Sequence, residues 1–361
     1  MSLALAAVSK LYGAGSAHAV QAVRDLDLEI GEGEIIALHG SSGCGKTTTL
    51  RMVAGFESVT KGEIRLRGRR IDRLAPARRR VAMAFEGYAL YPPLTIAENI
   101  GFALRGKKSA AKAEVREIAE LLEIGPILDR RPSGLSGGQQ QRASLARALI
   151  RDAELHLLDE PMGQLEPQLR AVLRGRVKAR IRERNYTAVL VTHDQGEANA
   201  MADRIAVMEA GRLEQFGTPD ELHERPANLF VATFFGEPPM NTLPAVASED
   251  GYDVLDEDAA VVMRVPAAER AAPKGTRVVL GLRPRRLELG GTMQQGTVVS
   301  NQWLGNQAHV ALEAAGRMLI AVRPARVAAR VGETIGLGFD PAHLHVFDAA
   351  SGAALAHRRE A

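Results

Sequence analysis

Short, wholly apolar runs alternate with stretches of helical periodicity over the first two thirds of the chain. Residues 35–38, 155–158 and Ala188–Val191 carry little but aliphatic side chains and are too short for helices, so they are predicted as buried strands. Between them, Lys46–Ala54 is expected to be a helix that follows a glycine-rich turn. Residues 114–122 place Val115, Ile118, Leu121 and Leu122 on one helical face, and 169–184 predict an arginine-rich amphipathic helix. Buried strands separated by helices indicate an α/β domain with a largely parallel sheet. The pattern changes at Gly236-Glu237-Pro238-Pro239, a cluster of chain breakers. Beyond it, 259–265, Arg277–Leu282, 296–300 and 308–312 are short β-rich runs divided by turn residues, as in a small barrel or sandwich. The expected organisation is therefore an α/β domain over 1–237 and an all-β domain over 238–361. The tail from Ala349 onward is expected to fray.

Composition narrows the function. Of 361 residues, 46 are basic and 43 acidic, a net charge of +3 that is far from a nucleic-acid-binding field. The single cysteine, Cys44, excludes an intrachain disulfide framework and fits a reducing compartment. Residues 1–10 lack the charged start and cleavage site of a signal peptide. No run approaches the ~18 apolar residues of a membrane span, so any membrane role is expected to act through a partner.

Three segments carry chemistry. Gly40-Ser41-Ser42-Gly43-Cys44-Gly45-Lys46-Thr47, followed by Thr48, matches G-x-x-x-x-G-K-[ST] between a predicted strand and a predicted helix. Its glycines let successive amides converge on phosphates, and the helix N-terminus adds its dipole. Lys46 supplies a point charge to the same oxygens, and the Thr47 hydroxyl suits Mg²⁺. Cys44, beside Lys46 and that N-terminus, is expected to have a depressed pKa and high reactivity. Leu155-His156-Leu157-Leu158-Asp159-Glu160 ends an apolar strand in two acids. Unpaired carboxylates are costly inside a sheet, but at its end Asp159 suits Mg²⁺ and Glu160 suits polarising a water. Leu135-Ser136-Gly137-Gly138-Gln139 opens a helix to Ile150, with Ser136 as its cap and bare amides as a second anion site.

Taken together, these segments resemble the nucleotide-binding subunits of ABC transporters, within them the carbohydrate-importer group typified by the maltose transporter ATPase. The resemblance covers nearly the whole chain. Tyr88-Ala89-Leu90-Tyr91-Pro92, Glu98-Asn99-Ile100, Val191-Thr192-His193-Asp194-Gln195, Met201-Ala202-Asp203-Arg204-Ile205, Gly217-Thr218-Pro219 and Met240-Asn241 all follow the family pattern. Gly281-Leu282-Arg283-Pro284 resembles its C-terminal regulatory domain. The resemblance implies a P-loop NTPase cassette of the α/β class, a helical subdomain at about 88–150, and a following all-β OB-like domain. It implies ATP and Mg²⁺ as cofactors, with His193 as a sensor of the γ-phosphate and Tyr12 stacking on adenine. It implies a head-to-tail pair with a second ABC ATPase, in which Ser136, Gly137, Gly138 and Gln139 meet the nucleotide held by the other subunit. Two transmembrane permease subunits, a periplasmic or extracellular solute-binding protein acting indirectly, no nucleic acid, and a location on the cytoplasmic face of the inner membrane complete the expectation. The implied cargo is a sugar, a polyol such as glycerol, or a related small carbohydrate.

Two positions depart from the pattern. Glu86, in Ala84-Phe85-Glu86, stands where the family has glutamine, which keeps an oxygen for Mg²⁺ or water but adds charge and loses an amide donor. Glu166, in Met162-Gly163-Gln164-Leu165-Glu166, stands in place of aspartate. Both are expected to tune catalysis, and either a homodimer or a heterodimer with a conventional partner accommodates them. The dense arginines at 65–80 are expected to form a solvated arm. Two rival functions remain open at the sequence level: a soluble ABC ATPase of translation or DNA repair, and a module that holds ATP without hydrolysing it.

Overall fold

The structure is a computed structural model that describes residues 2–15, 18–104, 108–267 and 271–357, with the backbone alone at 108–111. The chain divides into two compact units, 1–219 and 220–361.

In the first unit the elements run β1 (Leu3–Tyr12), β2 (Val20–Ile30), β3 (Ile35–Gly40), α1 (Lys46–Ala54), β4 (Lys61–Leu66), β5 (Arg69–Arg70) and β6 (Val81–Ala84). They continue with α2 (Ile96–Gly101), α3 (Lys108–Leu121), α4 (Gly137–Leu149), β7 (Leu155–Asp159), α5 (Pro167–Glu183), β8 (Ala188–Val191), α6 (Gln195–Met201), β9 (Arg204–Glu209) and β10 (Arg212–Gly217). A six-stranded sheet has the order β10-β9-β3-β8-β7-β6, parallel except for β10. Its three predicted strands are the apolar runs, and every residue of β3, β7 and β8 is buried, as expected of strands covered on both faces. A parallel sheet aligns the C-terminal ends of its strands, which brings the loops after β3, β7 and β8 together.

The second sheet, antiparallel and ordered β2-β1-β4-β5, was not predicted. Leu3, Leu5 and Val8 of β1, Leu26 and Leu28 of β2, and Leu50 and Val53 of α1 share one core with Ile36, Leu38, Leu155 and Leu157 of the parallel sheet. Burying each such leucine is worth about 1.5–3 kcal/mol. The strand after Tyr12 begins at Val20, since Val20, Gln21 and Val23 pair with Tyr12, Leu11 and Lys10.

The arginines of 65–80 are not wholly a solvated arm. Arg79 is buried and donates to the carbonyls of Met52 and Val53 at the end of α1, and to those of Leu74 and Asp72. Arg70 pairs with Asp72, and Arg65 with Glu63.

The second unit opens with α7 (Pro219–Glu224) at the divide and α8 (Leu229–Phe234), then β11 (Asn241–Ala247), β12 (Gly251–Leu255), β13 (Val261–Pro266) and β14 (Arg277–Leu282). It ends with β15 (Glu288–Trp303), β16 (Ala308–Ala314), β17 (Arg317–Arg323), β18 (Thr334–Gly338), β19 (His345–Asp348) and β20 (Ala354–Ala356). Two antiparallel sheets, β13-β12-β11-β14-β19-β20 and β17-β16-β15-β18, enclose one apolar core that includes Val254, Leu280, Val310 and Leu312. The breaker cluster at Gly236 lies inside this unit. Arg283 holds the stretch before it, donating to the carbonyls of His223, Ala232 and Phe235. The tail does not fray before Ala356, since β20 pairs with β19 and Ala353 bridges Asn228. Residues 358–361 lie outside the described residues.

Candidate functional site

The loop between β3 and α1 wraps around one lysine. Gly43 and Gly45 have φ of 78° and 104°. A Cβ at Gly45 would fall 2.4 Å from the Ala22 carbonyl, so the turn into the helix admits only glycine. Lys46 folds back and donates to the Gly40 and Ser41 carbonyls at 2.8 Å each. Ser41 donates to the Glu209 carboxylate from the end of β9.

At the end of β7, Asp159 accepts from the Thr47 hydroxyl at 3.4 Å. Burial pushes the Asp159 carboxyl up to about 6, and the Glu86 and Glu160 carboxylates push the same way against the Thr47 hydrogen bond. Acidic oxygens held together with a hydroxyl beside a phosphate-type loop form a hard-oxygen donor set suited to Mg²⁺. Among the described residues no cluster of three or more His, Cys, Asp or Glu forms a self-sufficient cage. The set therefore fits a cation that arrives with phosphate oxygens of its own.

Glu160 adopts φ 47°, a left-handed conformation that costs a non-glycine residue about 1–3 kcal/mol. Its N–H donates to the Val191 carbonyl at 2.9 Å. Its carboxylate Oε2 lies 2.9 Å from His193 Nδ1. His193 stands exposed after β8 while its neighbour Thr192 is buried, and the Thr192 hydroxyl donates to Glu197 Oε2 at 2.6 Å. Burial pushes the Glu197 carboxyl up to about 7, with Asp194 and Glu160 adding to the effect.

A cavity of about 470 Å³ joins these parts: Gly40, Ser42, Gly43, Lys46 and Thr47 on one wall, and Glu86, Gln141, Glu160, Gly163, Gln164 and His193 on the others. The structure thus brings together Lys46, Thr47, Glu86, Glu160 and His193 from four loops, with Asp159 hydrogen-bonded to Thr47. Tyr12, Thr48, Ser136, Gly137, Gly138 and Gln139 do not line it. Tyr12 lies on β1 with Lys10 Nζ 4.7 Å above its ring. Glu166 is exposed at the cap position of α5 and also lies outside the cavity.

Two sequence expectations are corrected. The Cys44 thiol is buried, only 2% exposed, and burial outweighs Lys46, so its pKa is raised and not depressed. The amides at the start of α4 are not all bare. The Ser136 hydroxyl accepts from the Gln139 N–H at 3.3 Å, and the Gln139 side chain accepts from the Ser136 N–H at 3.0 Å, a closed capping box.

Gln141 was missed. Three glutamines in a row do three jobs: Gln139 closes the cap, Gln140 donates to Pro132 and Leu135, and Gln141 turns inward. The sequence signal was its spacing, one helical turn after Gly137. Asn99 was quoted only as part of a pattern. It is fully buried and spends its amide on the Tyr91 N–H and on the Tyr91, Leu94 and Thr95 carbonyls, which fixes the loop after Glu86.

Comparison with known proteins agrees with this geometry. Residues 23–163 match the ABC transporter family, 236–286 the MalK OB fold domain, and 280–347 the TOBE domain. The chain is 42% identical over 342 residues to the sn-glycerol-3-phosphate import ATP-binding protein UgpC of Cereibacter sphaeroides, covering 92% of this chain and 95% of that one. It is 40% identical over 370 residues to the trehalose import ATP-binding protein SugC of Mycobacterium tuberculosis, covering 92% and 94%. Among solved structures, the ATP-binding cassette MJ0796, a dimer in a post-hydrolysis state with ADP and Pi, matches with a TM-score of 0.56 at 29% identity. That match covers 60% of this chain and 98% of the cassette.

Proposed function

Because the chain belongs to the ABC transporter family, with MalK-type OB-fold and TOBE domains after its cassette, we propose that it is the ATP-hydrolysing subunit of a binding-protein-dependent importer of a sugar, polyol or polyol phosphate. The observation that carries this reading is the convergence of a phosphate-type loop, Glu160 and His193 on one cavity. ATP places its phosphates along Gly40–Thr47, against the loop amides and Lys46. Thr47 and Asp159, with Glu86 in reach, would hold Mg²⁺, which would supply charge neutralisation at the phosphate oxygens. Glu160 accepts the proton of the attacking water, and its left-handed backbone aims the carboxylate into the cavity. With Nδ1 on Glu160, His193 keeps Nε2 for a γ-phosphate oxygen.

The exposed side of the cavity leaves the γ-phosphate open to solvent. A second cassette, whether another copy or a relative, closes it with residues equivalent to 136–139, which lie outside this chain's own cavity. Closure excludes water and strengthens the charge interactions inside. No described helix is long and apolar enough to cross a membrane. As in an importer of the kind its relatives are named for, permease subunits supply the pathway, and the chain works peripherally on the cytoplasmic face of the inner membrane. A groove of about 470 Å³ lined by Phe56, Phe85, Tyr91 and Phe102, with Arg147 and Arg151, supports such docking. Phe56 and Tyr91, 53% and 43% exposed, are large apolar side chains that a partner would cover. Two named relatives point to the cargo class, sn-glycerol 3-phosphate for one and trehalose for the other.

The test is uptake by cells lacking the chain, offered radiolabelled sn-glycerol 3-phosphate, trehalose, maltose and glycerol in turn. Wild type is expected to restore uptake of at least one, and Lys46→Ala of none. Equal restoration by Lys46→Ala, or none by wild type, contradicts an ATP-driven importer.

A further inference from the structure

We propose that Gln141 is a positioning residue for hydrolysis, tying the backbone of Glu160 and the turn at 163–164 to the first turns of α4. The proposal rests on Glu160 being the group that activates water. The Gln141 carboxamide is buried, 4% exposed, and makes two hydrogen bonds across the loop after β7. Its Nε2 donates to the Glu160 carbonyl at 2.7 Å, and its Oε1 accepts from the Gln164 N–H at 3.0 Å. Glu160 has a left-handed backbone, φ 47°. A strained peptide keeps its conformation only where its surroundings fix it on several sides. Here the N–H is fixed by Val191 and the carbonyl by Gln141, with the Gly163 N–H at 3.4 Å from the same oxygen.

The link continues through Gln164. A Cβ on Gly137 would fall 2.2 Å from Gln164 Oε1 and 3.2 Å from the Tyr88 hydroxyl. Gly137, Gln164 and Gln141 therefore interlock, and a shift of the first turn of α4 is passed to the peptide that aims the Glu160 carboxylate. Only a carboxamide both donates and accepts here. Alanine removes both hydrogen bonds, leaving the Glu160 carbonyl only the long Gly163 contact, while glutamate accepts from Gln164 but donates to Glu160 only when protonated.

That difference supplies the test. Turnover and KM for ATP are measured for wild type, Gln141→Ala and Gln141→Glu from pH 6 to 8.5, with trinitrophenyl-ATP binding and thermal melting on the same samples. Gln141→Ala is expected to lose about tenfold or more in kcat while KM and nucleotide affinity stay within about twofold, the pattern of a lost transition-state alignment. Gln141→Glu is expected to match it at pH 8 and to recover several-fold, relative to wild type at the same pH, by about pH 6 as its carboxyl is protonated. The titratable groups sharing the cavity with that carboxyl are Lys46, Glu160, Glu86 and His193, with Tyr88 beside Gln164. Burial and the two carboxylates push its pKa up, against the pull of the Lys46 ammonium. Turnover of Gln141→Ala within twofold of wild type, an equal loss of affinity and kcat, or a flat Gln141→Glu ratio overturns the proposal. If Gln141→Ala does not fold, the Gln141→Glu ratio decides alone. Glu160→Gln run alongside separates the two claims: wild-type turnover there removes the role of Glu160, whereas an inactive Glu160→Gln beside a normal Gln141→Ala removes only that of Gln141.

Discussion

That Lys46, Thr47, Asp159 and Glu160 come together was legible from motifs placed at the ends of apolar strands, and the place of His193 beside them from the family pattern. The environment of Cys44 was not. Its neighbours in sequence, Lys46 and a helix N-terminus, favour the thiolate, but burial depends on what the fold lays over the loop, here β9 and the Gly40 turn. Burial wins, so the thiol stays protonated at neutral pH. Iodoacetamide at pH 7.5 is expected to label Cys44 in the native chain at least about tenfold more slowly than in the guanidinium-unfolded chain. Mass spectrometry over a time course reads this, and equal rates would contradict a buried, protonated thiol. The two acidic departures also separate at this scale. Glu86 lines the cavity and raises the Asp159 pKa, while Glu166 is exposed outside it. The extra charge within one chain is thus one carboxylate, placed where, on the proposed function, a divalent cation would offset it.

Three of the five parallel strands, β3, β7 and β8, were predicted within two residues at each end, since buried runs have a sharp apolar signature, whereas β6 and β9 were not predicted. The antiparallel sheet was missed because its strands are interrupted. Register shifts in β1 between Leu5, Val8 and Lys10, with Ala7 at φ 46°, break the two-residue alternation that marks a half-buried strand. Arg79 shows the same limit among the elements. In a run of arginines it looked solvated, yet it fastens the end of α1, the helix whose start forms the phosphate loop. Arg79→Ala leaves several buried carbonyls unpaired and should lower stability by about 2–4 kcal/mol. A urea midpoint shift of that size checks it, and a change under about 0.5 kcal/mol would mean that the guanidinium is replaceable by water.

For the molecule as a whole, the order of an α/β cassette followed by an all-β domain was readable from the change of periodicity. The two compact units divide earlier, at 219/220, because α7 and α8 have helical sequence but pair and pack with the β-rich unit through Asn228 and Arg283, while the MalK OB fold match begins at 236. On the proposed function, what makes the cassette an enzyme and not a nucleotide holder is one carboxylate, Glu160, held on a strained backbone beside His193 in a cavity that the rest of the unit builds. Phosphate release from saturating MgATP, measured for the chain co-purified with its permeases and for the same complex carrying Glu160→Gln, tests this most directly. Wild type should turn over steadily, and Glu160→Gln should fall by at least about a hundredfold while still binding ATP, the loss typical of removing a general base. Steady turnover by Glu160→Gln at the wild-type rate, or none by wild type, would contradict the account.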